Sequence, residues 1–205
     1  MLILALDSCG ASCGASVWQD GRVLAQAQER MQRGQDARLI PIIVAVLAQA
    51  GHDFSALDRI AVTRGPGSFT GARVGLATAR GIGLAANKPV IGIDRFSIYK
   101  SLCTAADKNL LVVIESKRAE LFCKFFPAAG AAHDACMMTE AEIQTFLTNH
   151  PDTVIAGDKA TPEEDILAAC ARLAAAAEVR HPDFLPRPLY LRPPDVTVAA
   201  SARAS

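Results

Sequence analysis

The sequence lacks a surplus of charge of either sign, is poor in aromatic residues and holds no long apolar run, and each shortage removes a class of function. Lys plus Arg number 21 and Asp plus Glu number 21, a formal net charge of zero. A chain that grips nucleic acid on its own carries a basic surplus, because phosphate neutralisation supplies most of the affinity. Any contact with nucleic acid is therefore expected to be indirect. Aromatic residues make up 5% of the chain. None is interleaved with Arg64, Arg73, Arg80 and Arg95 to stack on bases, so these four read as solvated rim arginines. No stretch approaches the ~18 apolar residues that a membrane span needs; Arg80 interrupts the best candidate. Leu2–Leu6 is too short for a signal core and has no basic segment before it, so a cytoplasmic protein with no membrane contact is expected. The six cysteines, Cys9, Cys13, Cys103, Cys123, Cys136 and Cys170, include no CxxC pair. The CxxxC spacing of Cys9 and Cys13 has no second pair at zinc-ribbon distance, and buried free thiols in a reducing compartment are expected. His52, His133, His150 and His181 never fall three or four apart, so no metal pair on one helix face is predicted.

What is present is apolar side chain, 51% of 205 residues, enough for one compact unit or two small lobes. Leu2–Leu6 ending at Asp7 reads as a buried central strand. Strands are predicted over 15–18 and 22–27, joined by an Asp20-Gly21 hairpin turn. A helix over 36–50 stops at Gly51, with Pro41 near its first turn. A strand over 57–63, a helix over 70–86 ended by Asn87-Lys88-Pro89, and a strand over 90–93 follow. Leu110–Ser116 then matches Leu2–Ser8 position by position, an apolar strand closing on an acid and a serine, which suggests a second lobe built like the first. A strand over 119–126, a helix over 139–147, a strand over 153–156 and a helix over 162–177 complete it, before a proline-rich tail. The expected fold class is α/β, two lobes with mixed β-sheets flanked by helices, divided at 1–100 and 101–205.

Two helices are too apolar to stand alone. Leu39, Ile40, Ile42, Ile43, Val44, Val46 and Leu47 run nearly all round the first. The second carries Gly71, Gly75, Ala79 and Gly83 at a four-residue spacing, a notched face with almost no side-chain bulk. Interior glycines cost about 1 kcal/mol each relative to alanine, so a compensating close contact is expected. Either the chain's own lobes cover both helices or another molecule does. The reading adopted is the second, with Leu39, Ile40, Ile43, Val46, Leu47, Gly71, Gly75, Ala79 and Gly83 as a docking face. Gly75→Leu or Ile43→Glu would then disrupt assembly and leave a folded monomer.

Gly65–Gly71 places backbone N–H groups at a helix N-terminus, a generic anion site. It lacks the GK[ST] of a phosphate-binding loop, and Ser68 does not sit in a GxSxG elbow. Asp7, Gly67 and Ser68 are the candidate nucleotide or phosphate residues. A structural turn and a strand-end acid capping nearby N–H groups are the alternatives.

With Ile60–Thr63, the run GPGSFTGARVGLATARG (Gly65–Gly81) resembles the signature of the bacterial TsaB family, also called YeaZ. The likeness extends from LALD (Leu4–Asp7) through PVIGID (Pro89–Asp94) and ESKRAELF (Glu115–Phe122) to PLYLRPPD (Pro188–Asp195). The resemblance implies an actin-like ATPase (ASKHA, ribonuclease H-like) fold and kinship with the enzyme TsaD. TsaD transfers a threonylcarbamoyl group to the adenosine next to the anticodon. It also implies a chain with no catalytic residues and no metal, docked on a TsaD-like threonylcarbamoyltransferase through a helical bundle. Homodimerisation through the same face, work alongside a TsaE-like ATPase, and contact with tRNA only through the complex follow from it. No cofactor is required by this chain itself, with ATP or ADP possible at the complex. Many members read HSE where this sequence has Gln35, Asp36 and Ala37, so roles tied to that His or Glu do not carry over. Two rivals stand beside it: a nucleotide-dependent phosphotransferase of the same superfold, using Asp7 and the Gly67-Ser68 backbone, and an M22-type glycoprotease-like peptidase.

Overall fold

In the computed structural model, which describes residues 1–105, 107–160, 164–179 and 181–191, the chain builds two mixed sheets. β1 (Leu2–Asp7) is buried throughout and lies between an antiparallel neighbour, β2 (Ser12–Gln19), and a parallel one, β4 (Arg59–Thr63). β3 (Arg22–Arg30) returns antiparallel to β2. The turn before it holds Asp20 and Gly21 at φ 45° and 94°. Two positive φ values match the right-handed twist of a tight hairpin, which is why Asp-Gly serves there. β5 (Val90–Ile93) pairs parallel to β4, giving the order β3-β2-β1-β4-β5. The second sheet, β6 (Asn109–Ile114), β7 (Glu120–Phe126), β8 (Cys136–Thr139) and β9 (Thr153–Gly157), has the order β8-β7-β6-β9. Its pairings repeat those of the first: antiparallel, antiparallel, then parallel to the first strand.

The repeat holds for topology and not for facing. Leu2, Leu4 and Leu6 face the outer helices, whereas Leu110, Val112 and Ile114 face the central layer. A one-residue offset turns every side chain to the other face, so the position-by-position match is off by one in space.

The helices make three layers around the sheets. α1 (Gln35–Gln49) and α2 (Phe69–Ala86) cover the outer face of the first sheet. α3 (Arg95–Leu102) and α5 (Glu164–Ala176) contribute Phe96, Ile98, Tyr99, Leu167 and Cys170 to a core shared with both sheets. α4 (Glu140–Asn149) lies on the outer face of the second sheet, with a capping box between Thr139 and Glu142. Pro41 falls beyond the first turn of α1, on its exposed side, where water can take the carbonyl that its missing N–H leaves over. The prolines of the tail at 193 and 194, and Pro162 at the expected start of α5, lie outside the described residues.

Candidate functional site

β1 ends at Asp7 in a cleft of about 1020 Å³. The cleft is lined by Gly67 and Ser68 at the start of α2, Arg95 and Tyr99 of α3, and Glu115, Ser116 and Asp158 of the second lobe. The three candidate phosphate residues are therefore brought together, but Asp7 Oδ1 and the Ser68 N–H and hydroxyl are already engaged. The Asp7 carboxylate is buried and accepts hydrogen bonds from the Cys9 N–H, at 3.0 Å, and from the Thr63 hydroxyl. The Ser68 N–H donates to the Cys9 carbonyl at 2.8 Å, and its hydroxyl caps α2 by accepting from the Gly71 N–H at 3.2 Å. An anion at this turn must compete with those bonds. The local chemistry is that of a turn pinned to a strand end. Burial first, and then the neighbouring Asp7, push the Cys9 thiol up to about 12, so it stays protonated at neutral pH and is no nucleophile.

Arg95 overturns its rim assignment. It is 3% exposed and is the centre of the cleft's polar network. Its guanidinium pairs with Asp158 at 2.5 Å and donates to the Tyr99 hydroxyl at 2.9 Å and the Pro66 carbonyl at 3.3 Å. Tyr99 donates to the same Asp158 oxygen, and the other oxygen accepts the Glu115 N–H at 2.8 Å. Burial opposes the Arg95 charge, but Asp158 and the surrounding acids outweigh it and raise the pKa above the ordinary arginine value. Burial chiefly, with Asp158 adding to it, pushes the Tyr99 phenol well above its usual range. Sequence reasoning missed this network because it missed α3. The available signal was Asp94, which caps α3 by accepting the Ser97 N–H at 2.9 Å.

The helix pair corrects the predicted docking face. Leu39, Ile43, Val46, Leu47, Gly71, Gly75, Ala79 and Gly83 are all buried inside the chain; of the nine residues only Ile40 is exposed. The notched face of α2 serves the chain's own packing. A Cβ on Gly71 would lie 1.8 Å from the Ser8 carbonyl oxygen, one on Gly75 2.6 Å from Ser8 Oγ, and one on Gly83 2.4 Å from Val90 Cγ2. Four-residue spacing signals close approach of a helix to something, and here that something is β1, β4 and β5. Gly75→Leu and Ile43→Glu would accordingly damage the fold itself, not spare the monomer. What α1 and α2 expose is their opposite faces: Ile40 at 45%, Val44 at 51% and Leu84 at 86%. Ala37, Pro41 and Ala48 on α1, and Ala77 and Gly81 on α2, are exposed with them. The two helices pack side by side, so these faces belong to one surface, whose apolar side chains are interspersed with the exposed Asp36, Arg38, Arg73 and Arg80.

Among the described residues no three His, Cys, Asp or Glu side chains are grouped to hold a metal ion. No described helix is long and apolar enough to cross a membrane.

The family model described as TsaD, tRNA N6-adenosine threonylcarbamoyltransferase, matches residues 27–137, just over half of the chain. The tRNA threonylcarbamoyladenosine biosynthesis protein TsaB of Escherichia coli (strain K12) is 38% identical over 94 residues, 46% of this chain and 40% of that protein. TsaB of Haemophilus influenzae is 31% identical over 124 residues, 60% of this chain and 52% of that protein. The alignments thus span about half the length of the curated relatives, or less. The solved structure of YeaZ from Pseudomonas aeruginosa superimposes with a TM-score of 0.70 at 22% identity, covering 93% of this chain and 99% of that one. The fold is that of YeaZ.

Proposed function

The chain belongs to the TsaB (YeaZ) family and matches the TsaD family model over half its length, and from that premise we propose that it serves tRNA threonylcarbamoyladenosine formation as a non-catalytic partner of a TsaD-like threonylcarbamoyltransferase. The observation that carries the proposal is the exposed face of α1 and α2, with Ile40, Val44 and Leu84 in solvent. A large aliphatic side chain left fully in water forfeits roughly 1.5–3 kcal/mol of burial; Leu84 approaches that and the half-exposed Ile40 and Val44 forfeit part of it, which a docked partner would recover. A partner with the same fold presents a similar helix pair, so the two pairs can meet as a four-helix bundle. The same face would serve a homodimer, in competition with the heterologous complex. A TsaE-like ATPase would join that assembly in the cytoplasm, and tRNA would be met only through it.

On this reading the chain needs no cofactor of its own, and ATP or ADP belongs to the complex. The Asp7 carboxylate is already bonded to Cys9 and Thr63, and the Ser68 groups to Cys9 and Gly71, which supports that assignment. Calorimetric titration of the isolated chain with ATP and magnesium is expected to give no tight binding. A micromolar or tighter dissociation constant would favour the phosphotransferase reading instead.

The functional test is complementation. Cells lacking this chain are expected to lose threonylcarbamoyladenosine from their tRNA, measured by nucleoside mass spectrometry. Wild type restores it, and Val44→Asp combined with Leu84→Asp does not. Full modification supported by that double variant, shown to be without partner contact, would remove docking from the account.

A further inference from the structure

The two lobes differ in one respect that the shared strand order exposes. On the first sheet, α1 lies over β2 and β3, and α2 lies beside it over β4, β1 and β5. On the second sheet α4 holds the place of α1, setting Ile143, Phe146 and Leu147 against Leu111, Cys123 and Phe125. The next helix of the chain, α5, does not take the place of α2. It crosses to the first sheet and packs on β1 and β4. Among the described residues nothing replaces it. Beside α4 there remains an open groove of about 420 Å³, with Val113, Leu121, Ile143 and Ile155 among its lining residues.

The strands record the difference. Ile60 of β4 is fully covered where α2 packs on it. Ile155, on β9 in the corresponding place of the second sheet, is 43% exposed. The groove's rim is acidic. Lys159 Nζ lies 3.6 Å from Glu115 and 3.6 Å from Glu140, one ammonium shared between two carboxylates.

We propose that this groove is a docking site for an amphipathic helix of a partner protein. That helix would lie beside α4 as α2 lies beside α1. Its apolar stripe would cover Ile155 and Val113, and a lysine or arginine at the stripe's edge would meet Glu115 and Glu140. Helix-in-groove recognition uses anchors at i, i+3, i+4 and i+7. The ten residues of α4 set the matching length, about three turns. The site is on the second lobe, away from α1 and α2, and stands or falls independently of the docking proposed for them.

The test uses the full chain and a synthetic, lactam-stapled peptide of fourteen residues. The peptide carries leucines at i, i+3, i+4 and i+7 and one lysine at the edge of that stripe. Fluorescence anisotropy is expected to give saturable binding that Ile155→Asp weakens at least tenfold and Val44→Asp leaves unchanged. Exchanging the peptide lysine for glutamate should weaken binding several-fold on wild type, and Glu140→Lys should reverse that preference. Unchanged thermal melting of each variant would show that the fold is kept. Absence of binding, equal binding by the Ile155→Asp chain, loss through Val44→Asp, or indifference to charge would each overturn the proposal. Binding of small apolar dyes without the peptide would overturn it too, leaving a small-ligand pocket.

Discussion

Gly71→Ala is expected to destabilise the protein by about 3 kcal/mol or more, although it adds one methyl group to a helix. In a solvated helix the same exchange stabilises by up to about 1 kcal/mol. At position 71 the new Cβ would stand 1.8 Å from the Ser8 carbonyl oxygen and 3.0 Å from its carbon. Those are backbone atoms of the turn that follows β1, and the Ser8 hydroxyl is itself tied to the Gly71 carbonyl at 2.7 Å. Neither side can yield by a rotamer change, so α2 must lift from the sheet. Overpacking of this kind costs about 1–3 kcal/mol in ordinary cores, and more where backbone is the obstacle. For a chain of this size each kcal/mol shifts the melting midpoint by about 2–4 °C, so calorimetry should record a fall of roughly 10 °C. Gly81→Ala is the control on the same helix. Nothing lies within 4 Å of its added Cβ, and the midpoint should hold or rise slightly.

Arg95→Met is expected to have an effect of similar size for a different reason. Arg95 joins the Gly65-Pro66 loop and α3 of the first lobe to Asp158 of the second. Removing it leaves the Asp158 carboxylate, only 18% exposed at its side chain, without its ion-pair partner. Breaking a buried pair from one side costs about 3–5 kcal/mol, whereas replacing both partners by apolar groups is often nearly neutral. Urea unfolding should therefore show a large loss for Arg95→Met and partial recovery for Arg95→Met with Asp158→Leu, which leaves the Tyr99 hydroxyl and the Glu115 N–H without their acceptor. Because the Glu115 N–H donates to Asp158, hydrogen exchange at Glu115 should quicken in the single variant. Equal stability of wild type and Arg95→Met would show that the pair does not hold the cleft together.

Most of the frame was legible because periodicity and turn chemistry agree along the chain. β1, the Asp-Gly hairpin, α1, α2 and β5 lie within a few residues of their expected places, and the second lobe's strand order follows the first. α3 was not legible: Arg95–Leu102 carries little helical amphipathicity, since it is wedged between two sheets, with arginine and tyrosine buried among aliphatics. β8 was missed because Cys136–Thr139 is a short edge strand of four residues. The docking face was misread for a physical reason. A glycine stripe reports that something comes close, not what, and an all-round apolar helix hides which side is solvent. Leu39 and Val44 are equally greasy in sequence, yet one is buried and the other half in water. Only the position of β2, β3 and β4 separates them.

The proposed docking of the α1–α2 surface on a TsaD-like enzyme is tested most directly by isothermal titration calorimetry of the two purified proteins. The wild-type chain should bind with a micromolar or tighter dissociation constant. Val44→Asp with Leu84→Asp should weaken it at least 100-fold, about 2.8 kcal/mol at 1.4 kcal/mol per decade, with no loss of thermal stability. Binding of the double variant as tight as that of wild type would contradict the account.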